Sequence, residues 1–377
     1  MIRESLTEIR HTLHQYPDLS GGEQATAERI CTWLAPTRPD RLHREIGGHG
    51  VLAIYGDESH PLILFRAELD ALPIQEASNL SYRSDFAGKA HLCGHDGHMT
   101  MLIGLARRWH DHPVAGVRLG LILQPAEETG QGAAAMLADP IMQDLKPHRV
   151  FACHNIPGEA LGHVLLRKGP ITAAVHSTVL TLKGQSSHAA EPHLAHSPNR
   201  AIAQLLLAAE SMTRADRTDP SFTVVTPIHT LIGGQAYGTT PGQGEIHLTL
   251  RAADDNRLAT LQTLLLAYAN KLAVQDQLNL EHTILEAFPA SINDPDAIDE
   301  VILAIQDASL ELSHLPAPYA WGEDMGHFLA TWPGALIGLG SGVDLSPLHH
   351  PAYDFPDDLL DTGIDLFYHL LQRYQKS

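Results

Sequence analysis

Cysteine is scarce in this chain: Cys31, Cys93 and Cys153 are the three in 377 residues. An odd, sparse set builds no disulfide framework and predicts a reducing, cytoplasmic setting. Basic charge is scarce too. The 25 Lys and Arg face 44 Asp and Glu, a formal net charge of -19 at pH 7. Nucleic acid and anionic membrane both require a basic surface, so neither is expected as a partner. No stretch approaches the roughly 18 consecutive apolar residues of a membrane span. The opening residues, MIRESLTEIRHTLHQYP, alternate charged and apolar side chains and lack the continuous apolar run of a secretory signal. Internal repeats and low-complexity tracts are also lacking, so a repeat architecture is not expected.

What is present is an ordinary hydrophobic content of 44%, enough for a sizeable core. At roughly 100–200 residues per domain, the length predicts two domains, or one domain with an insertion. Helical spacing predicts helices at Ser5–His14, Gln24–Leu34 and Met99–His112. Apolar runs predict buried strands at Val51–Gly56, in Leu62–Pro73, from Val117 and from Arg149. This alternation implies a mostly parallel α/β sheet. Three polar clusters then fall at strand exits: Glu68 with Asp70, Glu127 with Glu128, and His154. Sites in open α/β sheets lie outside the carboxyl ends of the strands, which puts the three clusters on one rim.

Near Ala173 the pattern changes. STVLTLKGQ, FTVVTPIHTLIGG and GEIHLTLRA alternate in period two, as half-buried antiparallel strands do. Helical stretches at Ser197–Ala215 and Asn256–Gln275 accompany them. From about Phe288 the α/β character returns, with helices at Asp296–Leu310 and Asp357–Tyr374 and a strand at Ala335–Gly340. The expected architecture is a catalytic α/β domain in two parts, 1–173 and 288–377, interrupted by an α+β domain over 174–287.

The 25 histidines are many, and only clustered ones count. HLCGHDGHM (His91–Met99) sets Cys93 and His95 one residue apart at the start of a helix. Thiolate and imidazole both suit zinc and similar ions, although a buried Cys beside a hydrogen-bonded His is the commoner meaning of such a pair. QPAEE (Gln124–Glu128) puts two glutamates after an apolar strand, pointing in different directions. One can bind metal while the other stays free as a general base. His154 follows another strand. His349 lies in SPLHHPAYDF, where His350 is an equal rival on chemistry alone. Cys, His, Glu, His and His make five donors, which suits two metals sharing a ligand better than one four-coordinate structural zinc.

The ordered set RAELDALP, HLCGHDGHMTMLIG, QPAEETGQGA, HNIPG, GQSSHAAEPH, GEDMGHFL and LHHPAYDF resembles the amidohydrolase branch of the zinc-aminoacylase-type metallopeptidases. That branch contains hippurate hydrolases, N-acyl-amino-acid amidohydrolases and indole-acetyl-amino-acid hydrolases. The resemblance runs over essentially the whole chain. It implies two divalent metal ions held by Cys93, His95, Glu128, His154 and His349. Zinc, manganese, cobalt and nickel all suit such ligands. It implies Glu127 as the base that activates the attacking water, and Asp70 as a residue orienting a ligand. It implies that the inserted domain is a lid that also forms a homodimer, and that His188 polarises the scissile carbonyl. Arg251 is a candidate for binding a substrate carboxylate, and Glu323 a candidate substrate-side residue.

There are departures from the family pattern. GTTP (Gly238–Pro241) stands where relatives carry Asn–Val–Ile–Pro, and Ser186 and Ser187 stand where glycines are common. The expected activity is hydrolysis of the amide of an N-acyl amino acid, with a dipeptidase or carboxypeptidase-like preference as the near variant. Two rivals of other classes are a catalytically silent metal-binding scaffold and a thiol hydrolase using Cys93 with His95.

Overall fold

The computed structural model describes residues 4–375. Ser5 opens α1 (Leu6–Gln15) through a capping box: its hydroxyl accepts from the Glu8 N–H, and the Glu8 carboxylate accepts from the Ser5 N–H. Next come α2 (Gln24–Leu34), β1 (Arg41–Ile46), β2 (Gly50–Tyr55) and β3 (Leu62–Glu68). Every residue of β2 and β3 is buried, as continuous apolar strands covered on both faces should be. The chain continues through α3 (His95–Asp111), β4 (Arg118–Gln124), α4 (Gly132–Leu137), α5 (Pro140–Gln143), β5 (Arg149–Pro157), β6 (Val164–Leu166) and β7 (Gly169–Pro170).

It then forms β8 (Ala174–Lys183), β9 (Ser187–His188), α6 (Asn199–Ser211), β10 (Thr223–Ile232), β11 (Thr239–Thr240), β12 (Gln243–Ala252), α7 (Asp255–Gln275) and β13 (Asn279–Phe288). The last stretch carries β14 (Ile292–Asn293), α8 (Pro295–Asp307), β15 (Leu312–His314), α9 (Met325–Thr331), β16 (Gly334–Gly342) and α10 (Leu359–Gln372). Among the described residues no helix is long and apolar enough to cross a membrane.

These elements make two compact units. The first takes the chain up to Ile171, then Ser291–Pro316 and the residues from Asp324 on; the second takes Thr172–Ala290 and Ala317–Glu323. The sequence boundaries put all of 288–377 in the first domain. Residues Ala317–Glu323 instead pack within the second unit, where the Tyr319 carbonyl accepts from Ala173 N–H at 2.9 Å.

The first unit is built on an eight-stranded mixed sheet in the order β1-β2-β4-β3-β5-β16-β6-β15. The central run β4-β3-β5-β16 is parallel, as the strand–helix alternation predicts; β1 and β2 pair antiparallel, and β6 runs antiparallel to β16 and parallel to β15. Phe65 of β3 packs on Phe367 of α10 with ring centroids 4.6 Å apart and on Phe151 of β5 at 5.9 Å. Because four neighbouring strands run the same way, their carboxyl ends share one edge.

The second unit is an antiparallel sheet in the order β10-β12-β8-β13, with α6 and α7 packed on it. β12 and the outer half of β8 alternate buried and half-buried residues, as their period-two patterns require. Two strands behave differently. β10 is exposed from Thr226 to Leu231, around an irregularity at Pro227, because it is an edge strand. β13 forms the other edge and is nearly all exposed, so NLEHTILEAF carries no periodic signal.

Candidate metal centre

Asp70 organises the edge where the parallel strands end. It is fully buried just beyond β3. Its Oδ1 accepts from the Glu127 N–H at 3.1 Å and its Oδ2 from the Glu128 N–H at 3.0 Å. The Ser20 hydroxyl donates to Oδ2 at 2.6 Å, and the Asp70 carbonyl accepts from His95 Nδ1 at 2.8 Å. One residue thus sets both glutamates and a histidine. The two glutamates follow Ala126, whose φ of 50° is a strained conformation for a side chain with a Cβ.

His95 opens α3 directly after Gly94. With Nδ1 donating to a carbonyl, the lone pair of the neutral ring resides on Nε2. That nitrogen is buried and has no hydrogen-bond partner among the described residues. It lies 3.8 Å from Glu128 Oε1 and 3.9 Å from Glu127 Oε2. His154 repeats the arrangement: Nδ1 donates to the Asn155 carbonyl at 3.0 Å, and Nε2 sits 3.6 Å from Cys93 Sγ. His154 lies inside β5, whereas the sequence placed it beyond the strand end. His349 Nε2 is 3.7 Å from Glu128 Oε2, on a backbone with φ of 65° held by the His349 N–H to the Leu92 carbonyl. Burial and the neighbouring His95 lower its pKa. His349 and its rival His350 are both exposed, but His350 Nδ1 accepts from the Ala352 N–H instead.

Ligand-capable atoms of Cys93, His95 and His154 lie within 4.8 Å of one another, as do those of Cys93, Glu128 and His349, and those of His95, Glu127 and Glu128. A buried imidazole lone pair with no donor, set close to carboxylates, is costly unless a cation joins them. The donor set, one thiol, imidazoles and carboxylates, fits a divalent transition metal.

The sequence reading placed Glu68 at a strand exit but missed the arginine that ties it into a buried network behind these residues. Arg66, in the middle of β3, donates to Glu68, to Gln124 Oε1 at 2.8 Å and to Asp324 Oδ1 at 2.6 Å. Glu68 also accepts from His98 Nδ1 at 2.6 Å. Burial works against the Glu68 charge, but Arg66 and His98 hold its carboxyl well below the usual range. An arginine inside an otherwise apolar run, LILFRA, was the available signal.

The remaining candidates belong to the second unit. His188 is exposed on β9; its Nδ1 accepts from the Ala190 N–H at 3.0 Å, so the proton of the neutral ring is on Nε2. β9 pairs with β11, which places Thr239 of the GTTP stretch opposite His188. Arg251 is half-buried in β12 and donates to the Ala320 carbonyl at 2.7 Å; no carboxylate pairs with it among the described residues, and burial lowers its pKa. Glu323 is buried.

The profile of peptidase family M20/M25/M40 matches residues 64–373. N-acetyl-L-cysteine deacetylase of Bacillus subtilis (strain 168) is 30% identical over 383 residues, covering 100% of this chain and 89% of that protein. Hippurate hydrolase of Campylobacter jejuni subsp. jejuni serotype O:2 is 29% identical, covering 98% and 96%. A solved Bacillus subtilis structure, described as a dinuclear metal binding peptidase of the M20 family, shares the fold at a TM-score of 0.83 and 25% identity, covering 98% and 97%.

Proposed function

Because the chain belongs to peptidase family M20/M25/M40, we propose that Cys93, His95, Glu128, His154 and His349 hold its metal and that Glu127 is the general base of an amide hydrolysis. The protein is a metal-dependent amidohydrolase of N-acyl amino acids. The observation that best supports the ligand assignment is the shared tautomer of His95 and His154. Each commits Nδ1 to a backbone carbonyl and turns Nε2 toward the other donors. Two ions are proposed because Cys93 belongs to two separate ligand groups. When bound, divalent ions supply Lewis acidity and acidify water.

Glu127 takes the proton of the attacking water and returns it to the departing amine. Asp70 holds both glutamates by their backbone, so that base and ligand keep a fixed separation. His188 presents its Nε2–H to the scissile carbonyl oxygen, with the second unit acting as a lid and as the homodimer interface. Arg251, lacking a carboxylate partner, takes the carboxylate of an N-acyl amino acid or dipeptide. Glu323 is assigned to the substrate side on its GEDM motif alone. The setting in this reading is cytoplasmic.

The test is hydrolysis of N-acetyl, N-benzoyl and indole-acetyl amino acids and dipeptides, with and without chelator, adding back manganese or zinc. Release of free amino acid that depends on metal and collapses in Glu127→Gln is the expected result. Turnover that survives metal removal and is lost on thiol alkylation would sink this reading in favour of a Cys93 nucleophile.

A further inference from the structure

We propose that Asn155 is the positioning residue that keys the separate ligand-bearing segments into one centre, an inference that rests on the metal-centre reading above. Asn155 follows His154 in β5 and is fully buried. Its side-chain oxygen accepts from His98 Nε2 at 2.6 Å. Its amide nitrogen donates to the Tyr353 hydroxyl. The same amide lies against Gly94, so closely that a Cβ on Gly94 would overlap it.

Each of these partners sits beside a proposed ligand. Gly94 is the residue between Cys93 and His95. His98 is one helical turn beyond His95 in α3, and its other ring nitrogen is clamped by Glu68 at 2.6 Å. Tyr353 is fully buried, four residues after His349 in the same loop. One amide therefore touches the start of α3, the end of β5 and the loop of His349. These segments are far apart in sequence, and backbone pairing does not join all three. An amide can act as acceptor and donor at once, which this three-way junction requires.

Gly94 is explained by the same junction. Its φ of 98° favours glycine, and the space a Cβ would need is filled by Asn155. Alanine at 155 would leave the buried His98 and Tyr353 groups without these partners and open a void beside Gly94. Outer partners of metal ligands carry about 10–100-fold in metal affinity.

The experiment strips the full chain with chelator and titrates it with cobalt(II), reading both affinity and the ligand-field absorption bands. Three variants are compared with the unaltered chain. Asn155→Ala should weaken cobalt binding about 10–100-fold and shift the bands. Tyr353→Phe deletes one hydroxyl and keeps the ring; it should shift the bands with a smaller loss of affinity. Asn293→Ala is the control. Asn293 is equally buried and bonds the Leu336 N–H and the carbonyls of Arg167 and Leu336, none of which adjoins a proposed ligand. It should lower the unfolding midpoint and leave cobalt affinity and bands unchanged.

Either site variant binding cobalt with unaltered affinity and bands overturns the proposal, and Tyr353→Phe decides if Asn155→Ala does not fold. A control that weakens cobalt as much as Asn155→Ala also overturns it, since the effect would then be general destabilisation. If the unaltered chain binds no cobalt, the metal-centre reading fails and takes this proposal with it, which is a distinguishable result.

Discussion

His95 and Asp96 are neighbours at the start of α3, yet they face polar regions of opposite kind. On the His95 side, imidazole lone pairs, a thiol and two carboxylates converge, and His95 Nε2 has no hydrogen-bond partner among the described residues. On the Asp96 side the charges answer one another. Asp96 Oδ2 accepts from His14 Nδ1 at 2.9 Å and from Arg10 at 3.1 Å. Arg10 also donates to Asp354 at 2.9 Å and to Asp357, and the Tyr82 ring lies beneath it at 4.9 Å. Burial opposes the charge on His14, but hydrogen bonds to Asp96 and Glu76 raise its pKa to about 9. Burial likewise opposes the Asp96 charge, yet His14 and Arg10 hold that carboxyl well below its usual range. A cluster that pairs its own charges is scaffold; one that leaves lone pairs facing carboxylates is built for a cation.

The contrast can be broken from either side. The largest effect is expected at the open cluster: Glu127→Gln should lower kcat by about 10²–10⁴-fold, the range of general-base catalysis. The same substitution keeps the size and shape of the side chain and should leave the urea midpoint of the metal-free protein nearly unchanged. A clear loss of stability would mean that Glu127 is scaffold. At the closed cluster the expected order reverses. Arg10→Met removes one of the two cations that pair with the buried Asp96 carboxylate, together with the bonds to Asp354 and Asp357, and should cost about 3–5 kcal/mol by urea unfolding. A cost below 1 kcal/mol, on the order of an exposed pair, would show that the cluster does not carry the load assigned to it.

The closed cluster also predicts a pH dependence. The folded pKa of His14 lies above its ordinary value of 6.5, so its stabilisation is complete below about pH 6.5 and is lost as the pH rises through about 9. Unfolding midpoints should fall between pH 7 and pH 10, and this part of the fall should be missing in His14→Gln. An identical slope in both proteins would contradict the assignment. The smallest effect belongs to neither cluster. Ser5→Ala removes the capping box of α1 and should cost about 1 kcal/mol, with cobalt affinity unchanged.

Much of this was legible in the primary structure, for identifiable reasons. β2 and β3 read as strands because they are apolar on both faces, and α10 read as a helix because its apolar stripe faces the core. β13 was invisible because an exposed edge strand has no buried face to impose a period. Three short helices, α4, α5 and α9, were also missed; four to seven residues are too few to show a helical repeat. At the site, the residue types were legible and their partners were not. Arg66 stood out as a charge in an apolar strand, but nothing local showed that Asp324, 258 positions away, would receive it.

By itself the sequence determined the class of chemistry. Period and apolar runs mark the buried strands and the longer helices, and the order of the motifs settles the family, because both are properties of residues close together in the chain. The tertiary structure alone decided the choices that depend on distant residues. It turned His349, and not His350, toward Glu128. It set the tautomers of His95 and His154 through the carbonyls of Asp70 and Asn155. It brought Gly94, His98 and Tyr353 onto the single amide of Asn155. A hydrogen bond reaches about 3 Å, and only folding brings residues that are far apart in the chain within that reach.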